Sequence, residues 1–379
     1  MSKSARVVDV VCAMGDIAPP SIAAEWDNVG LLVGAIGWPL RRVLMTIDLT
    51  GAVLAEAIRG RFDAIVSYHP PIFRPTKSMH SNLRTQEGIA ATALSERIAV
   101  YSPHTALDAA PGGTNDVIAE LCGLEYIEPV RELKATWSAQ SEDALCKVVV
   151  FVPEDAADRV AEAIYSEGGG LIGDYRKCSF RSAGEGTFFG SEGTHPRRGK
   201  KGRLERVREV RLEVIMDRWR LRWALESIRK VHPYEEPAID VYPLESLPKA
   251  GFGEGREGTF PKPTRADELA ARLRRKIGAT TVSIVGNRRA AFRSAQVWVG
   301  AAGGSPTWSS NIVVTGELRH HDALRCEREG GAAIVLGHWA SERPVLKPLA
   351  ARLKKELPGV EFVVSRADRD PFIPVRGSR

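Results

Sequence analysis

The run from Asp63 to Phe73, DAIVSYHPPIF, is apolar at Ala64, Ile65 and Val66 and stops against Pro70-Pro71. Proline cannot donate to a sheet ladder, so a strand ends here and His69 falls at its C-terminal tip, the edge of an open α/β sheet where ligands bind. Three more apolar runs end in the same way. IAVYSPHTALD brings His104 and Asp108, NIVVTGELRHHD brings Glu317, His320, His321 and Asp322, and AAIVLGHWASE brings His338 and Glu342. Of eight histidines, five lie just past these runs, together with four carboxylates. Imidazole and carboxylate donors in mixture suit zinc, iron, manganese or nickel better than a thiolate or all-oxygen site would. Two such ions would acidify a bridging water and give a nucleophile at neutral pH.

His338 and Glu342 are four residues apart at the start of a helix, so one turn puts both on one face, where a nitrogen and a carboxylate converge on a metal. The plainer reading is a helix start, with Ser341 as cap and Glu342 where the dipole favours it. His69 and Asp108 at other strand tips favour the metal. In SPHTALDAAPGG the turn residues imply an irregular loop, which leaves His104 open to ligation, to acid–base work or to holding a neighbouring carboxylate. His320 and His321 begin a helix, where adjacent side chains diverge by about 100°, so at most one faces the site. His104 and His321 are the candidate proton carriers.

The elements that must position these residues follow from the pattern. Residues 5–128 alternate strand-like and helix-like segments, which implies parallel pairing with right-handed crossovers. A polar connection over 129–143 leads to strand, helix, strand, strand, helix, strand, the ferredoxin-like order. After a Gly/Pro-rich linker from Leu247 to Pro263, alternation resumes with a helix from Asp267, a helix from Ser341 to Glu356 and a strand from Glu361 to Ser365. The expected fold is therefore α/β, a two-lobed layered core (residues 1–130 and 251–379) with an inserted ferredoxin-like α+β domain (138–247).

At 379 residues and 44% hydrophobic content the chain can build several packed cores. No apolar run approaches the roughly 20 residues of a membrane span. Val7, Val8, Val11 and Met14 recur at helical spacing, interrupted by Asp9, which suits a packed helix better than a secretory segment. Five scattered cysteines without a CxxC pair read as reduced thiols in a cytoplasmic protein. Much of the net charge of +6 gathers at Arg197, Arg198, Lys200, Lys201, Arg203, Arg206, Arg208 and Arg211. Without interleaved aromatics this reads as a solvated hairpin tip, not a nucleic-acid surface. HPYEEP, with His232, Glu235 and Glu236, reads as a structural turn, and no P-loop, GxSxG elbow or GxGxxG turn is present.

EWDNVGLLVG, SYHPPIF, YSPHTALDAAPGGTND, VTGELRHHDAL and GHWASER, in that order, resemble the Nif-three-like dinuclear metal centre family, whose members are labelled GTP cyclohydrolase 1 type 2 homologs. GTFFGSEGTHP and HPYEEPAIDVYPLE resemble the PII-like insert of its longer bacterial members. The resemblance implies a toroidal homohexamer with two divalent metals per subunit facing an internal cavity. It matches His69, Asp108, His338 and Glu342 to metal ligands, Glu342 bridging. Many members carry two adjacent histidines where this chain has Tyr68-His69, so one of the two metals is expected to be held more weakly. The activity implied is hydrolysis of a phosphoester, nucleotide or similar small polar substrate. Cyclohydrolase attack on GTP would need a guanine pocket that the sequence does not show, and a non-catalytic metal-binding regulatory assembly is the rival reading.

Overall fold

The computed structural model describes residues 4–80, 82–133, 145–172, 175–194, 199–244, 251–301, 306, 308 and 311–373. The expected insert boundaries at 138 and 247, most of the polar connection, and Arg197 and Arg198 lie outside the described residues. The chain divides into two compact units, Met1–Leu133 with Lys249–Arg379, and Lys134–Pro248.

The first unit opens with α1 (Val7–Ile17), β1 (Gly30–Val33), β2 (Arg42–Thr46), α2 (Gly51–Arg59), β3 (Ala64–Ser67), α3 (Gln86–Ser95) and β4 (Ala99–Ser102). Next come α4 (His104–Ala109), α5 (Thr114–Leu121), β5 (Glu125–Glu128) and β6 (Arg131–Glu132). The second unit holds β7 (Leu145–Pro153), α6 (Ala157–Ser166), β8 (Phe180–Phe189), β9 (Leu204–Asp217), α7 (Leu221–Val231) and β10 (Ile239–Pro243). The first unit then resumes with β11 (Gly253–Glu254), β12 (Arg256–Arg265), α8 (Ala266–Ile277), β13 (Ser283–Gly286), β14 (Ala291–Ala301) and β15 (Ile312–Glu317). It closes with α9 (His320–Arg328), β16 (Ala332–Val335), α10 (His338–Glu342), α11 (Leu346–Glu356) and β17 (Glu361–Val364).

One sheet has the order β1-β4-β3-β2-β17, parallel except for β1. Leu44, Ile65 and Val100 on one of its faces pack with Val53, Leu54, Ala57 and Ile89 of α2 and α3. Val43, Met45 and Val66 on the other face are buried as well. Burial on both faces is why these strands read as unbroken apolar runs. Another sheet has the order β13-β16-β15-β14-β12-β5, parallel through β14, β15 and β16. The contiguous segments expected for each lobe need correcting at both ends, because β17 from the chain's end completes the sheet of β2 and β5 from its first third completes the sheet of β12. Alternation specifies strands; it does not choose their partners.

Two further expectations are corrected. The described part of the supposed linker forms β11 and β12, where Arg256, Gly258 and Phe260 are buried in alternation. Pro261 and Pro263 fall in the register shift between Thr259 and Thr264, where a missing N–H breaks no ladder bond. The helix expected from Ser341 to Glu356 starts at His338 and is interrupted by a short 3₁₀ turn over Arg343–Val345 that holds Pro344. Behind β17, Glu56 of α2 accepts from Ser365 Oγ (2.5 Å), Ala367 N (3.0 Å) and Arg366 N (3.1 Å). Burial works against that carboxylate, yet these bonds hold its pKa below the usual range.

In the second unit β7, α6, β8, β9, α7 and β10 form an antiparallel sheet of order β10-β7-β9-β8. Val148, Val150, Leu212 and Val214 pack against Val160, Ile164 and Ile228 of the helices. His232 of the HPYEEP turn is buried, with Nε2 3.1 Å from Phe151 O and Nδ1 accepting from Tyr234 N at 3.0 Å. Within the basic stretch Arg203 pairs with Glu205, Arg206 with Glu185 and Arg211 with Glu213, so the described arginines are largely neutralised on the strands themselves. No helix among the described residues is long and apolar enough to cross a membrane.

Candidate metal centre

His69 lies two residues past β3, yet its N–H still donates to Ile47 O at 3.0 Å, so the ladder carries the imidazole to a fixed place. Its Nδ1 sits 2.9 Å from Asp48 Oδ1 and its Nε2 3.5 Å from Glu342 Oε2. His338 opens α10 after Gly337, whose φ of 92° makes the sharp turn from strand to helix. Its Nδ1 sits 3.1 Å from Glu317 Oε1, and its Nε2 lies 3.1 Å from Glu342 Oε1, one turn along. Two imidazoles thus address one buried carboxylate through Nε2, while a carboxylate holds each Nδ1. Carboxylates in that outer position fix the tautomer that leaves Nε2 free to ligate.

Backbone without side chains makes the room. At Gly300, whose φ is 61°, a Cβ would stand 2.6 Å from Glu342 Oε1, and at Gly316 one would stand 2.6 Å from Ser341 Oγ. Ser341 accepts from Gly300 N (2.9 Å) and donates to His338 O (2.8 Å), fastening the turn to β14.

The charges fit a cation. Burial pushes Glu342 up, but His338 and His69 together hold its carboxyl below the usual range. Burial opposes protonation of His69, and Asp48 and Glu342 override it, lifting the imidazole to about 10. The hydrogen bond to Glu342 is the largest cause raising His338. Glu342 is 2% exposed, and its Oε2 makes no well-formed hydrogen bond, having only His69 Nε2 3.5 Å away. A buried carboxylate oxygen left so costs stability, which a cation would recover. Donor atoms of His69, His338 and Glu342 lie within 4.8 Å of one another, so the residues fit a metal ion.

Asp108 and His104 sit beside this group. Tyr68, 1% exposed, donates its hydroxyl to Asp108 Oδ1 at 2.6 Å. Burial, with the charges of Asp108 and Glu342, holds the phenol well above its usual pKa, and burial pushes Asp108 up to about 6. The His104 ring is 5.2 Å from that of His69 and 5.5 Å from that of Tyr68, and its Nδ1 lies 2.8 Å from Asp27 Oδ1. The Asp27 side chain is fully buried and accepts from Thr105 N, Thr105 Oγ1 and Asn28 N. His321 is not brought there: it is exposed on α9, its ring 5.6 Å from that of His320. Asp27 and Asp48 were missed. The second was findable, since RVLMTID also ends an apolar run in a carboxylate; the first stands in a loop without such a signal.

Layered sheets that present two imidazoles to one buried carboxylate define an α/β protein with a three-residue site suited to a divalent metal. The chain belongs to the Duf34/NIF3 (NGG1p interacting factor 3) family, whose sequence profile matches residues 5–371. It is 33% identical over 380 residues to the "GTP cyclohydrolase 1 type 2 homolog" of Bacillus subtilis (strain 168), covering 98% of this chain and 99% of that one. A protein of the same name from Halalkalibacterium halodurans is 33% identical over 363 residues, 94% of this chain and 95% of that one. Among solved structures, the Bacillus cereus protein related to NIF3 matches with a TM-score of 0.64 and 31% identity, covering 99% of this chain and 100% of that one.

Proposed function

We propose that the protein is a metal-dependent hydrolase acting on a phosphoester, nucleotide or similar small polar substrate. The buried Glu342, shared by His69 and His338 and with its Oε2 approached only by His69 at 3.5 Å, carries this reading. Zinc, iron, manganese or nickel would be held by those three residues, with Asp108 as ligand to a second ion in a dinuclear centre. Such an ion supplies Lewis acidity toward a phosphoryl or carbonyl oxygen and a water acidic enough to react near neutral pH. Asp48 and Glu317 orient the two imidazoles. His104, its Nδ1 held by Asp27, keeps Nε2 for moving a proton. Family membership supports a homohexamer with a PII-like insert, and the relatives' name supports a cyclohydrolase-like substrate. The free cysteines support a reducing, cytoplasmic setting.

A second reading has its own observation. Lys134–Pro248 forms a separate compact unit and contributes none of the site residues, as suits a regulatory, non-catalytic metal-binding assembly. Screening metal-reconstituted protein against phosphoesters and GTP separates the two. Turnover abolished by His338→Ala supports the hydrolase; no turnover, with the cellular role intact in His338→Ala, sinks it.

A further inference from the structure

At the end of the β2–β3–β4 sheet opposite to His69 and His104, a cavity of about 490 Å³ opens before the strands begin. Four strand residues, about 13 Å, separate the two ends. Trp38, Ile58, Phe62 and Ile98 give it an apolar wall, and Arg41, Arg61 and Arg97 give it three guanidiniums.

Arg61 and Arg97 stand in an unusual backbone. Each follows a helix, α2 or α3, with φ of 52° and 57°. The helix ends close alike: Arg61 N donates to Ile58 O and Phe62 N to Ala57 O, and Arg97 N donates to Leu94 O and Ile98 N to Ala93 O. Glycine is the usual residue at that left-handed position, and a side chain there costs about 1 kcal/mol. A cation near a helix C-terminus recovers part of this, but α2 already ends in Arg59. Twice in one cavity the chain places arginine where glycine would be more stable.

Among the described residues neither Arg61 nor Arg97 has a carboxylate within ion-pair distance, and Arg97 lies over the Trp38 ring at 5.4 Å. Asp63, also in the lining, is committed to Arg41 N and Arg42 N at 2.8 and 3.0 Å and lies 3.7 Å from the Arg41 guanidinium. Arg41, Arg61 and Arg97 against Asp63 and Glu96 leave the lining with one net positive charge, the three arginines and Glu96 all being exposed.

We propose that this cavity binds a phosphate-bearing small molecule of mononucleotide size, the phosphate on Arg61 and Arg97 and the ring against the apolar wall. Its volume lies within the usual range for such ligands, and guanidiniums that line one cavity from two loops can match a phosphate's oxygens.

Calorimetric titration of the full-length protein with AMP, and separately with inorganic phosphate, tests this. AMP is expected to bind saturably and at least about tenfold tighter than inorganic phosphate, with the Arg61→Gly/Arg97→Gly double variant weaker by roughly a hundredfold. That variant should keep or raise its Tm, since glycine is at ease in both positions. If it is less stable, Arg61→Gln/Arg97→Gln replaces it. His338→Ala, altered only at the metal cluster, should bind AMP as the wild type does. No saturable AMP binding, equal affinity for inorganic phosphate, full binding by the arginine variants, or loss of binding in His338→Ala would each overturn the proposal.

Discussion

Tyr68 gives its phenolic hydrogen to Asp108 at 2.6 Å, so one oxygen of an expected metal ligand is occupied by a buried neighbour. A phenol kept neutral by burial is a poor ligand. Tyr68→His should supply a nitrogen donor and free Asp108, raising metal content toward two ions per chain after dialysis against a weak chelator. Elemental analysis reads the outcome. Unchanged content would mean that Tyr68 already ligates as phenolate, or that His104 has taken the place.

Glu342 is the common partner of two imidazoles, and removing it leaves both without their shared anion. Glu342→Ala or His338→Ala should lower metal affinity by at least about a hundredfold. Competition with a chromogenic chelator measures this. Wild-type affinity in both variants would exclude the cluster as the binding site.

Gly300 offers a subtler test. Alanine there must accept a positive φ and push on Glu342 Oε1, 2.6 Å from the new Cβ. Gly300→Ala should cost about 1–2 kcal/mol in urea unfolding and reduce bound metal well below wild type. Normal metal content would show that the carboxylate has room to move aside.

Glu56 predicts a pH dependence. Its pKa is held below its ordinary value, so its stabilisation is present above that value and is lost as pH falls through the folded-state value. Glu56→Gln should cost about 1–2 kcal/mol at pH 7, and its Tm deficit should close as the pH is lowered below 4.5. A deficit that stays constant from pH 7 to 3 would show that the charge of Glu56 is not what fastens Ser365 and Ala367.

Much of this site was legible because it obeys one rule. Apolar runs that end in a histidine or carboxylate mark strand tips, and His69 and His338 met at Glu342 as that rule implies. Asp27 escaped because it stands in a loop before β1 and ends no apolar run, whereas its partner His104 follows β4 by two residues and opens α4 where an irregular loop was expected. His321 misled for the opposite reason: its run does end at the sheet edge, but two further residues and the start of α9 turn it to solvent. The exchange of β5 and β17 was hidden because strand partners are chosen by crossovers and packing far apart in the chain, not by local pattern. Proline in the segment after Leu247 suggested a linker, whereas the register shift in β12 accommodates it.

That exchange has a consequence for biosynthesis. β2 stands at a sheet edge until β17, some 300 residues later, emerges to pair with it. At ribosomal speeds the open edge persists for roughly 15–65 s. Throughout that time the backbone of Val43, Leu44 and Met45 offers a strand template in an apolar setting, the kind of surface on which unfinished chains stick to one another. Nascent chains halted before Glu361 should therefore need a chaperone to stay monomeric, and release of the last strand should end that need. Pull-down of staged ribosome complexes would show it, and equal chaperone retention before and after Val364 emerges would argue that the edge is guarded by other means.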